Sequence, residues 1–162
     1  MSSIDDLFAQ YGPAYRWLST GTVMVAAVAV VLSTTIVNVA IPDVMGTFGI
    51  SQVQAQWIST GFLAAMTATM LLTDWANKNF GLRASMSAAL AVFMCGSILG
   101  GIAPNENVLT IARVIQGAAA GLVQPLAMVL LFQVFPKDRR GAAMGIYGIG
   151  VVLAPALGPW IG

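Results

Sequence analysis

Residues 114–136, VIQGAAAGLVQPLAMVLLFQVFP, run without a charge between Arg113 and Lys137. A helix needs roughly 20 residues to cross about 30 Å of hydrocarbon, and charged side chains are costly at the bilayer centre. This stretch is therefore long enough to cross and apolar enough to stay. Four more gaps free of Asp, Glu, Lys and Arg occur at 17–42, 44–73, 84–105 and 141–162. They predict helices near 21–41, 55–74, 84–103, 108–134 and 142–162. Backbone amides in hydrocarbon have no water to bind, which demands closed helices rather than open strands. The expected fold class is an all-α membrane protein with five transmembrane helices. Residues 1–20 would form an N-terminal segment and 21–162 the helical bundle.

Composition agrees. Seven basic and six acidic residues in 162, with 58% hydrophobic, supply too little polar surface to cover a soluble globule. The lipid bilayer is the expected solvent. A net charge of +1 gives no electrostatic case for nucleic acid. Histidine is absent and Cys95 is the single cysteine, which removes disulfides, Cys/His metal sites, haem attachment and His-based acid–base chemistry within this chain. No cofactor is expected and no enzyme; an intramembrane hydrolase is further disfavoured by the lack of paired membrane carboxylates.

Placement of the charges is more informative than their sum. Arg16, Lys78, Arg83, Lys137, Arg139 and Arg140 all fall in the N-terminal segment, the second connection or the fourth. The first and third connections hold Asp43 and Glu106 and no base. The positive-inside asymmetry puts the N-terminus in the cytoplasm of a multi-pass inner-membrane protein. The start of the chain carries Asp5 and Asp6 and only Arg16 as a base, unlike a secretory signal peptide, so the first helix is expected to be retained. Tyr15, Trp17, Trp57 and Trp75 fall at predicted helix ends, as interface anchors do.

In the fourth span, Arg113, Gln116, Ala120 and Gln124 recur at intervals of three and four and share one narrow face. A membrane arginine there faces a wet cavity or snorkels outward, and both readings stay open; the two glutamines on its stripe strengthen the cavity. Thr34 and Asn38 form an i, i+4 pair in the first span, and Gln56, Thr60 and Thr67 a similar stripe in the second. For these weaker stripes, interhelical hydrogen bonding and substrate contact both remain open. Glycines four residues apart, at Gly96 and Gly100, Gly117 and Gly121, and Gly158 and Gly162, let helix backbones approach. In the fifth span, Gly145, Gly148 and Gly150 precede Pro155 and Pro159, giving a helix able to bend, or one held in a static kink by its neighbours.

At this point the residues resemble the major facilitator superfamily, and within it the fourteen-helix drug/proton antiporter branch. Thr34 to Pro42, followed by Gln56-Trp57 and Thr60, is similar to that branch's first-helix signature. Arg113-Val114-Ile115-Gln116-Gly117 resembles the superfamily's RxxQG motif. The run Gly148 to Gly162, with Ala154-Pro155 and Gly158-Pro159, resembles the helix-five antiporter motif. The resemblance covers nearly the whole chain in order and spacing. It implies that Arg113 and Gln116 belong to the cavity and proton-coupling network, and that Pro155 to Pro159 shape a kinked helix favouring exchange over uniport.

Two departures stand out. Ser33 occupies a position where the branch commonly has an acid just before the Thr-Thr pair. The cytoplasmic gate loop, roughly GxLADRxGRR in the family, reads Asp74-Trp75-Ala76-Asn77-Lys78-Asn79-Phe80-Gly81-Leu82-Arg83: Gly81 and Arg83 match, Lys78 stands at the acidic position and Asp74 at the first glycine.

The expected function is part of a secondary active transporter, exporting small hydrophobic or amphipathic compounds by proton antiport. Its partners would be the remaining helices of a full-length transporter or another membrane subunit, without which five helices are expected to transport nothing. Two other readings stay open: an accessory or structural membrane protein without transport, and a facilitator or symporter for a polar solute. Asp43, Asp74 and Glu106 lie at helix ends or in an outer loop, so no carboxylate is placed mid-membrane for the proton.

Overall fold

The computed structural model describes residues 14–137 and 139–161, with side chains described for 18–137 and 139–155. The described residues form six helices: α1 Ala14–Phe48, α2 Gln52–Met70, α3 Thr73–Phe80, α4 Leu82–Gly101, α5 Glu106–Val134 and α6 Arg140–Ile161. Three of them, α1 from Leu18, α4 and α5, are long and apolar enough to cross a membrane. The pair α2 and α3, bent by 54° at a short break, makes a fourth crossing candidate. In α6 the described apolar part runs from Arg140 to Pro155.

The connections explain the ends. Ser51 caps α2 in a reciprocal box, its Oγ accepting from the Gln54 amide while the Ser51 amide donates to Gln54 Oε1 at 2.9 Å. Asn105 Oδ1 accepts from the Val108 amide at 3.0 Å and caps α5, with Glu106 in the first turn where the helix dipole favours an acid. At the opposite end of α5, the Arg140 Nε and Nη2 donate to the carbonyls of Phe135 and Phe132 at 3.3 and 2.8 Å, and the guanidinium sits over the Phe132 ring. Ser85 Oγ donates to the Ala76 carbonyl at 3.0 Å and ties α3 to α4.

The first helix departs from its predicted end. Pro42 marks a stop in the sequence, yet α1 continues through it for 35 residues in all. Proline removes one hydrogen bond, the one its amide would donate to the Asn38 carbonyl, but does not force a stop where the neighbouring helices pack on both sides of it. Val37 with Ile41, Val44, Met45 and Phe48 packs against Ile50, Ala55, Ile58 and Leu109, so the last turns of α1 are held by α2 and α5. The second departure is the break at Leu71-Leu72, which turns the expected gate loop into the short helix α3.

The core is organised around α5. Half of its membrane stretch is buried, against 22% for α1 and 28% for α4. It packs along both α2 and α4, and α1 packs along α6. Val23, Ala27 and Val30 of α1, Phe62 of α2, Phe93 of α4, Ala120, Val123 and Leu126 of α5 and Tyr147 of α6 form one cluster. Outward-facing apolar residues such as Val25, Ile98, Ile149 and Val152 remain exposed, as they do when lipid is the solvent.

Candidate functional site

A close approach between α4 and α5 creates the polar centre. A Cβ on Gly96 would sit 3.1 Å from the Ala112 carbonyl oxygen and from the Gln116 amide nitrogen. With the backbones this near, Gln116 Nε2 donates to Ser97 Oγ at 2.7 Å, and Ser97 Oγ donates to the Phe93 carbonyl at 3.0 Å. Gln116 is buried, at 5% exposure. One turn earlier on α5, Arg113 Nη1 donates to Gln116 Oε1 at 2.9 Å, to Ser33 Oγ at 2.9 Å and to the Ser33 carbonyl at 3.2 Å. A continuous polar line thus crosses from α1 through α5 to α4. Inside an apolar bundle such a line gives each member a partner that neither lipid nor the packed core could supply.

Beside it, between α1 and α2, lies a cavity of about 120 Å³ lined by Ser33, Thr34, Asn38, Ser59, Phe62 and Leu63 among others. The Thr34 hydroxyl is spent on the Val31 carbonyl at 2.6 Å. Ser59 Oγ is buried with no hydrogen-bond partner among the described residues. Thr34 and Asn38 therefore meet the Arg113 network through Ser33, which belongs to both. Gln124 lies half-buried on α5, about 12 Å beyond Gln116 at 1.5 Å per residue, outside the hydrogen-bonded line. Gln56 and Thr60 are exposed and line a separate shallow groove with Val53 and Trp57. The structure does not bring that stripe to Arg113.

The gate-loop residues sit on and after α3. Lys78 Nζ meets Asp74 Oδ2 at 2.6 Å, a pair one turn apart with both side chains more than 70% exposed. Exposed pairs of this kind contribute a few tenths of a kcal/mol at most. Arg83 is exposed and lines a groove with Leu18, Thr22 and Leu130. Gly81, between α3 and α4, has φ 79° and ψ 158°, a conformation open essentially to glycine alone. Gly81→Ala is expected to cost about 1–3 kcal/mol, read as a lower Tm in detergent; an unchanged Tm would show that the link relaxes without strain.

On α6, Ala154 is buried at 1% exposure while Pro155 is exposed. Space around Gly148 is open, whereas a Cβ on Gly150 would meet Met24 Cε of α1 at 3.1 Å. The side-chain surroundings of Gly158 and Pro159 lie outside the described residues, as do those of Tyr15 and Trp17. Among the described residues no three His, Cys, Asp or Glu side chains gather as metal ligands.

Two members of the polar line, Ser33 and Ser97, were not among the residues the sequence put forward as cavity contacts. A signal for Ser97 existed, because it adjoins the Gly96 and Gly100 pair that marks where another backbone comes close.

Residues 23–162 match the sequence profile of the Major Facilitator Superfamily. The chain belongs to this superfamily. Superfamily relatives include the fatty acid resistance protein FarB of Neisseria gonorrhoeae, 38% identical over 151 residues, which are 93% of this chain and 30% of FarB. The multidrug export protein EmrB of Haemophilus influenzae is 40% identical over 132 residues, 82% of this chain and 26% of that protein. A third, the uncharacterized MFS-type transporter YcnB of Bacillus subtilis, is 35% identical over 147 residues, 91% of this chain and 31% of YcnB. The chain thus spans less than a third of the length of these curated relatives. Superfamily proteins are multi-pass membrane transporters rather than enzymes.

Proposed function

We propose that this chain is the N-terminal helical bundle of a bacterial inner-membrane exporter of hydrophobic or amphipathic compounds, exchanged against protons, with residues 1–20 in the cytoplasm. The observation that carries the reading is the intramembrane arginine, Arg113, held by Gln116 and Ser33 in a polar line across three helices. Ionisable residues inside a bundle are expensive to keep and characteristically mark substrate or ion pathways. Export of drugs is supported by the names of the relatives, multidrug export protein and fatty acid resistance protein. The cytoplasmic side is supported by Lys78, Arg83, Lys137, Arg139 and Arg140, which the alternation of helices brings to one end of the bundle.

In this reading Arg113 and Gln116 form the coupling network, with Thr34 and Asn38 on the wall of the adjoining cavity. Gln124, Gln56 and Thr60 would face the pathway only in the assembled transporter, in which a second bundle rocks against this one. The α6 residues Gly148, Ala154, Pro155, Gly158 and Pro159 shape the helix that moves, and Asp74, Lys78, Gly81 and Arg83 close the cytoplasmic end. The proton site depends on Asp43, exposed in the far part of α1, or lies in the rest of the transporter.

Inverted membrane vesicles containing the full-length transporter test the reading. Acidifying the vesicle interior should drive uptake of a fluorescent amphipathic dye, and an uncoupler should abolish it. Dye movement indifferent to the pH gradient, or no dye movement with the protein inserted, would sink it in favour of a solute facilitator or an accessory protein.

A further inference from the structure

The guanidinium of Arg113 reaches only neutral acceptors. Ser33 Oγ, the Ser33 carbonyl and Gln116 Oε1 all converge on one nitrogen, Nη1. No carboxylate lies within ion-pair distance of it among the described residues. Its Nε and Nη2 donate to none of the described residues. A positive charge half-buried in an apolar bundle, answered only by dipoles, leaves an unmet demand for negative charge.

The cavity beside it is built to meet that demand. Its volume of about 120 Å³ is several times the roughly 10–15 Å³ that one water needs. Ser33 forms part of its wall while accepting from Arg113, so the cation stands one hydroxyl away from the space. Also on its wall are Ser59, whose buried hydroxyl has no partner among the described residues, and the exposed Asn38, whose amide donates to none of them. No acid lines the cavity, and Val37, Ile58, Phe62 and Leu63 give the rest an apolar surface. A cationic occupant would be repelled by Arg113, and a neutral one would leave its charge unanswered.

We infer that this cavity binds the anionic group of a small organic acid. The carboxylate takes hydrogen bonds from Ser33, Ser59 and Asn38 and the field of Arg113, while the apolar part lies on Val37, Ile58, Phe62 and Leu63. On binding, the Ser33 hydroxyl turns from accepting the arginine to donating to the anion. The inference deepens the transport reading by naming an acidic class of cargo or coupling ion, but binding can be measured with no transport at all.

The test is equilibrium binding of radiolabelled benzoate to the chain in nanodiscs of zwitterionic lipid. Saturable binding is expected, weakened at least tenfold in Ser33→Asp, where an internal carboxylate takes the place of the ligand's, and in Arg113→Gln. Ser33→Asp carries the test if Arg113→Gln does not fold, because it supplies the buried arginine with a partner. Displacement by decanoate at far lower concentration than by chloride is expected for an organic acid; displacement by both at similar concentrations would identify a free inorganic anion and overturn the assignment. Absence of saturable benzoate binding, undiminished binding in Ser33→Asp, or displacement by decanol as effective as by decanoate overturns it. A failed dye-efflux experiment with intact benzoate binding would reject the efflux reading and leave the site standing.

Discussion

Gly117→Val is expected to destabilise the bundle by at least about 3 kcal/mol, the upper range for forcing extra atoms into a packed interior. A Cβ at Gly117 would fall on the carbonyl oxygen of Phe62 in α2, and within 2.9 Å of the Phe62 Cα and carbonyl carbon. Gly121, one turn on, stands in the same relation to the Met66 carbonyl and the Thr69 hydroxyl. Backbone cannot rotate aside as a side chain can, so α2 and α5 must separate. That separation would also loosen Phe62 and Ala120 from the shared core. Gly148 is the control, since nothing lies within 4 Å of its Cβ position. There alanine is expected to be neutral or to stabilise, by up to about 1 kcal/mol from helix propensity. Thermal unfolding of both variants in one detergent decides the matter; Gly117→Val as stable as Gly148→Ala would mean that the two helices are not in backbone contact.

Arg113→Met should separate function from stability. Removing the arginine deprives Gln116 Oε1 and Ser33 of a donor, at a cost of about 1–3 kcal/mol for polar groups left short. It also removes a charge that is expensive to hold inside the membrane, which offsets much of that cost. The net change in stability is therefore expected to stay within about 1 kcal/mol. Dye efflux by the full-length protein, measured per folded molecule, should fall at least tenfold, as a group that acts on the transported species or its coupling ion requires. Unchanged efflux with a large drop in Tm would reassign Arg113 from the pathway to the scaffold.

Much of this was legible in the chain. The uncharged gap 114–136 and its four counterparts each overlap a helix of the structure, because the cost of a charge in hydrocarbon depends on its position along the span and hardly on its neighbours. The glycine pairs marked where backbones meet, since only a missing Cβ allows that approach, and Gly96 and Gly117 do lie against α5 and α2. Arg113 and Gln116 stood out by their spacing on one helical face. What that spacing could not tell was the partner: a period defines a face and says nothing about which helix it meets. Gln56 and Thr60 share a face as regular as that of Arg113 and Gln116, yet they look outward into a separate groove.

The solvent, the approximate helices, the end of the bundle that gathers the basic residues and the identity of the membrane arginine can be read along the chain. Each follows from local costs of charge, backbone hydrogen bonding and side-chain volume. Helix packing is what brings Ser33 and Ser97 into the polar line, leaves Ser59 beside it without a partner among the described residues, and bends the chain between α2 and α4 by 54° into a helix. In lipid both the bundle interior and the solvent are apolar, so hydrophobic patterning cannot rank one face above another. The choice falls to the fit of backbones at Gly96, Gly117 and Gly121, and that fit exists only when the helices are together.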